Sequence, residues 1–209
     1  MRKFDNKEVG LSKKELAILK RLNTPRKVQD YVSALPQNFE LMGETSMSVR
    51  ETLAKHRAHC IEGAILAALA FWVNGKRPLL MDLKTEGDDD HVVAIFKEHG
   101  HWGAISKTNH AVLRYRDPIY RSLRELAMSY IHEYSDKRWK ISLRSYSRLL
   151  DLSMYRPEAW ITGKEAWVIA KDIDAIKHFP LMTRAQAKKL RKLEVVEQKA
   201  GSILQYKRR

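Results

Sequence analysis

The apolar positions of this chain change period partway along it, and the change separates a helical front from a mixed remainder. Leu16, Leu19 and Leu22 recur at helical spacing behind Ser12-Lys13-Lys14-Glu15, a capping-box pattern that places a helix start at Ser12. Thr24-Pro25 opens a second helix, with Pro25 at its first position and Val28, Tyr31, Val32 and Leu35 on one face; Pro36 ends it. After a polar loop from Gly43 to Ser46, Ser48 and Glu51 repeat the capping box and start a short helix towards His59. From Cys60 to Val73 the residues are apolar almost all round. That predicts a core helix, stopped by Asn74-Gly75.

Beyond Pro78 the pattern turns strand-like. Leu79 to Leu83 is a short run, and His91 to Phe96 is a second, richer in β-branched and aromatic residues. Lys97 to His101 makes a hairpin turn, and Trp102 to Ser106 is the returning strand. Asp117-Pro118 predicts another helix, with Leu123, Leu126, Ala127, Tyr130 and Ile131 along it. Basic and aromatic residues then alternate from Lys137 to Arg148. Trp160 to Gly163 and Ala166 to Ala170 read as further short strands, and Thr183 caps a final basic helix carrying Leu190 and Leu193. Helices first, a central buried helix, then a meander of strands predict an α+β fold. The shift in composition divides the chain into a core over residues 1–135 and a basic C-terminal extension of mixed strand and helix over 136–209, within the same domain or beside it.

With 209 residues, 44% of them hydrophobic, and five tryptophans, the chain can build a full core. Its net charge of +14 favours anionic partners such as nucleic acid, acidic protein or anionic lipid. No apolar stretch follows the charges of the first eight residues, and Ile61 to Val73 is shorter than the roughly 20 residues of a membrane span. The expectation is a cytoplasmic protein without membrane association. A single cysteine suits a reducing compartment.

That cysteine, Cys60, stands at the first turn of the apolar helix, where unpaired backbone N–H groups and the positive end of the helix dipole favour thiolate. A lone cysteine serves either packing or reactivity. Nucleophilic cysteine chemistry also needs a base and a group that orients it. His91 is the candidate base: it opens a strand behind an acidic turn, Gly87 to Asp90, and shares a two-residue period with Val93 and Ile95. This reading aims its ring at the sheet face covered by the Cys60 helix.

The ordered set resembles the transglutaminase-like superfamily of cysteine acyl-transfer enzymes. The matching pieces are His59-Cys60 through Trp72 with Gly75, then His91 to Phe96, then Gly100-His101-Trp102-Gly103-Ala104-Ile105, about the middle third of the chain. The resemblance implies a papain-like core in which Cys60 is the nucleophile, His91 the base, and an aspartate the third member. It implies a peptide or protein substrate, hydrolysis ahead of amine transfer, and no cofactor or metal. At the register of the family's aspartate this chain has Ser106. Asp117 is taken as the third member, with Ser106 and Asn109 as rivals and Asp82 as a further candidate.

The sequence offers two other chemistries. His56, His59 and Cys60, completed by His99, His101 or His110, offer zinc-type ligands, but their spacing matches no known zinc pattern. Arg138-Trp139-Lys140, Arg144, Tyr146 and Arg148 interleave cations with aromatics, and Arg184, Lys188, Lys189, Arg191 and Lys192 crowd the last helix. The alternative function is therefore a non-catalytic basic module that keeps the fold and binds nucleic acid or another anionic partner.

Overall fold

Seven antiparallel strands form one sheet lying between two layers of helix. The computed structural model describes residues 2–208. The strands are β1 (Leu79–Thr85), β2 (His91–Glu98), β3 (His101–Ile105), β4 (Arg116–Tyr120), β5 (Leu143–Ser147), β6 (Leu150–Asp151) and β7 (His178–Pro180). Their spatial order is β4-β3-β2-β1-β5-β7, and β6 also pairs with β1. The helices of the described residues are α1 (Asn6–Val9), α2 (Lys13–Arg21), α3 (Pro25–Ala34), α4 (Val49–Lys55), α5 (Cys60–Val73), α6 (Leu123–Met128), α7 (Trp167–Ala175), α8 (Arg184–Lys189) and α9 (Val195–Gly201). The fold class is α+β. Because β5, β6 and β7 pair with β1 or with each other, one sheet runs across residues 135 and 136.

The strand alternation decides which layer each side chain joins. Leu80, Val92, Ala94, Phe96 and Ile105 point to the layer containing α5. Leu79, Met81, Leu83, Val93, Ile95 and Ala104 point to the opposite layer, where Leu126, Ala127, Tyr130 and Tyr134 cover them. Every residue of α5 from Ile61 to Trp72 is buried. Fully buried Ile65, Leu66 and Leu69 each contribute about 1.5–3 kcal/mol relative to exposure. Gly63 allows a close approach within α5: a Cβ there would stand 2.5 Å from the Cβ of Lys107.

The helix starts follow their caps. Ser12 accepts from the Glu15 amide, Thr24 from Lys27 and Ser48 from Glu51. Elsewhere the structure corrects the reading. Asp117-Pro118 opens no helix; it lies inside β4 at the sheet edge, where a proline without an N–H removes no interior ladder bond. The helix begins later, at α6, with Ser122 as its cap. The two runs read as strands near 160–170 are a turn and the start of α7, whose buried Ile169 and Ile173 are four apart, a helical period. The alternating segment at 137–148 supplies β5, and the single basic helix expected after Thr183 is two helices, α8 and α9. Among the described residues no helix is long and apolar enough to cross a membrane.

Candidate active site

Cys60 is the first residue of α5 and is half-buried. The first intrahelical bond there runs from the Gly63 amide to the His59 carbonyl at 3.0 Å. The amides of Cys60, Ile61 and Glu62 precede it, so they open towards the thiol end of the helix. Two imidazoles stand beside the sulfur. Burial alone would push the thiol up, but His59 and His91 outweigh it and bring the pKa down to about 5.

His91 reaches this point by a route other than the one read from its period. It shares a face with Val93 and Ile95 as expected, but α5 covers the opposite face. Both residues stand at the first position of their elements, and His91 is near enough to Cys60 to favour its thiolate. Its Nε2 lies 2.7 Å from Ser106 Oγ. The Ser106 hydroxyl donates to the Leu113 carbonyl, so its oxygen accepts from His91 Nε2–H. That fixes the tautomer and leaves Nδ1 as the acceptor of the ring. Ser106 itself is held by an amide clamp: Gln29 accepts from its N–H at 2.9 Å and donates to its carbonyl at 2.8 Å.

The other candidates for the third position are placed elsewhere. Asp117 is exposed on the edge strand β4. Asn109 bonds the C-terminal segment, accepting from the Tyr206 amide at 2.8 Å and donating to its carbonyl at 3.0 Å. Asp82 pairs at 3.0 Å with His178 on β7, and burial pushes its carboxyl up to about 6 against the opposing pull of His178. Ser106 is the residue that bonds the His91 ring.

A carboxylate does enter the site, behind His59. Glu62 is fully buried in the first turn of α5 and accepts from the amides of Met47 at 3.0 Å and His59 at 2.9 Å, and from the side chains of Asn38 and Thr45. His59 Nε2 lies 3.0 Å from the Thr45 carbonyl, 3.3 Å from Glu62 Oε1 and 3.6 Å from Glu40 Oε1. All three are acceptors, so Nε2 carries the proton and Nδ1, 4.0 Å from Cys60 Sγ, faces the thiol. Burial opposes charge on His59, yet Cys60 and Glu62 together raise it to about 11. Burial likewise opposes ionisation of Glu62, and His59 with the two amides holds it down at about 2. Sequence reasoning set His59 among metal ligands and passed over Glu62. The signal was present: an acid interrupts an apolar helix three residues after His59, at capping-box spacing.

The remaining zinc-type candidates lie apart from this group. His56 is the exposed left-handed cap of α4, His101 bonds the hairpin carbonyl of His99, and His110 bonds the carbonyl of Gly201. Among the described residues no group of three or more His, Cys, Asp or Glu side chains is arranged to hold a metal ion. No protein-family model matches the chain, and no curated protein matches it either.

Proposed function

We propose that the chain carries out cysteine-dependent acyl transfer on amides or esters, with peptide hydrolysis as its main reaction. The observation that carries this reading is the pairing of a helix-start thiol with two imidazoles, each tied at Nε2, with His59 Nδ1 facing the sulfur at 4.0 Å. The Cys60 sulfur attacks the carbonyl carbon, the C–S bond forms and the carbonyl electron pair moves to oxygen. Amides at the start of α5 stabilise that oxyanion. The thiol proton, held on His91, passes to the leaving amine as the C–N bond breaks, giving a thioester. Water then attacks the thioester carbonyl while His91 takes its proton; the C–S bond breaks, the acid product leaves, and sulfur departs as the thiolate beside the protonated His91, which restores the starting state. An amine in place of water gives transfer. His59, anchored by Glu62, keeps a positive charge beside the sulfur throughout.

The test is acyl-enzyme capture. Purified protein is mixed with p-nitrophenyl acetate and followed by intact mass and peptide mapping. The expected result is one acetyl group on Cys60, absent in Cys60→Ala and slowed in His91→Ala. An absent adduct together with an alkylation midpoint near the ordinary thiol value of about 8.5 overturns the proposal.

A further inference from the structure

Past the end of β1 that also brings in His91, the turn at Glu86 and Gly87, the loop before β5 and helix α8 enclose an open groove of about 790 Å³. Its floor is apolar, formed in part by Ile141, Met182 and Leu190. Its walls carry five cations and two acids. Both acids are already paired: Glu86 with Arg144 at 2.8 Å and Asp136 with Arg138 at 3.1 Å. Lys140, Arg184 and Lys188 are exposed and have no acidic partner among the described residues. The groove therefore presents three uncompensated positive charges around an apolar floor. A volume in this range suits a short stretch of chain or a small ligand and is far too small for a duplex. Single-strand binders supply aromatic platforms for bases. No aromatic side chain lines this groove, so the charges have nothing to stack a base against.

We infer that this groove binds acidic peptide segments, the carboxylates meeting Lys140, Arg184 and Lys188 while an apolar side chain enters between Ile141, Met182 and Leu190. Binding stands on the groove alone; that the bound segment belongs to a substrate of Cys60 rests on the acyl-transfer reading. Glu86 and Gly87 of the groove belong to the connection between β1 and β2 that ends at His91, and on the acyl-transfer reading the preferred substrate carries acidic residues near its reacting carbonyl.

The binding test uses Cys60→Ala protein, which separates recognition from chemistry, and a short fluorescein-labelled peptide of Glu and Asp around one central Leu, read by anisotropy. Arg184→Glu/Lys188→Glu is compared with Lys13→Glu/Lys14→Glu, which makes the same change in net charge on exposed positions of α2. Circular dichroism verifies that both fold. The groove variant is expected to weaken binding by about tenfold or more while the α2 variant changes it little. Equal weakening by both variants overturns the inference, because net charge alone would then account for it. So does an oligouridine that binds more tightly than the peptide and loses binding in the groove variant. Cleavage by wild-type protein is then compared for acidic and basic peptides. Peptide binding in the groove with no acyl-enzyme at Cys60 leaves the docking site intact and removes the acyl-transfer reading. Cleavage without preference for the acidic peptide keeps the acyl-transfer reading and overturns the groove's part in choosing its substrate.

Discussion

His59→Gln isolates the charge that the proposal places beside the sulfur. Glutamine keeps a polar side chain at the helix cap but stays neutral where the imidazole is charged. Two unit charges 4.0 Å apart attract by about 4 kcal/mol at an effective dielectric of roughly 20. Since about 1.4 kcal/mol corresponds to one pH unit of ionisation, removing the imidazolium moves the thiol midpoint from about 5 towards roughly 8. The sign is fixed: losing a neighbouring cation disfavours thiolate, so the midpoint rises. Iodoacetamide alkylation across pH, with thiolate absorbance as a second readout, measures the shift directly. The midpoint carries the test rather than the rate at one pH, because a more basic thiolate is intrinsically more nucleophilic and offsets its lower population. His91→Gln provides the comparison, since His91 also favours the thiolate. A midpoint unchanged in His59→Gln but raised in His91→Gln would reduce His59 to a structural cap and refute the reasoning.

Three further outcomes follow from the same geometry. Ser106→Ala leaves the buried His91 Nε2–H without its acceptor; it is expected to cost about 1–3 kcal/mol in urea melts and to slow acyl-enzyme formation by about a hundredfold, whereas Asp117→Ala on the exposed edge changes neither. Glu62→Gln is expected to lose about 3–5 kcal/mol at neutral pH by breaking a buried pair. Because the folded state depresses the Glu62 pKa to about 2, its contribution is complete above the ordinary carboxylate value and lost as pH falls through 2, so melts at stepped pH should show the gap between wild type and variant closing on acidification. Gly63→Ala sets a methyl against the Lys107 stem in a filled layer; overpacking of about 1–3 kcal/mol should exceed the roughly 1 kcal/mol gain in helix propensity, and a higher melting temperature would contradict the close contact.

The features that sequence reasoning reached are those decided within one turn or one hairpin. Ser12, Thr24 and Ser48 cap their helices because a hydroxyl and an amide three residues on are enough. The hairpin and its two strands follow from local alternation, although the turn is only His99-Gly100, with Lys97, Glu98 and His101 paired in the strands. Errors arose where the deciding partner is distant. Whether Asp117-Pro118 starts a helix or sits in a strand depends on β4 being an outer strand, which no local pattern states. The basic segment around Leu143 becomes a strand only because β1 is available to pair with it. A charge-rich alternation describes a solvated face and a half-buried strand equally well.

The same distinction governs the site. Cys60 was legible because its setting is its own helix start. His91 was legible in position but not in direction, since the period gives the face a side chain shares and not the layer that covers it. Ser106 could not be chosen over Asp117 or Asn109 from the sequence, because its role turns on where its own proton goes. The Leu113 carbonyl takes that proton and turns the hydroxyl oxygen into an acceptor for His91. Asn109 is excluded by an equally distant fact, its two bonds to Tyr206 near the other end of the chain. Glu62 is the instructive omission. A carboxylate without a partner has no place in a buried helix. Its presence inside an otherwise apolar run therefore demanded a cation and amide donors nearby, and the nearest histidine at capping spacing was His59. The transglutaminase-like resemblance implies a carboxylate behind His91, where the chain has Ser106; its buried carboxylate stands behind His59 instead.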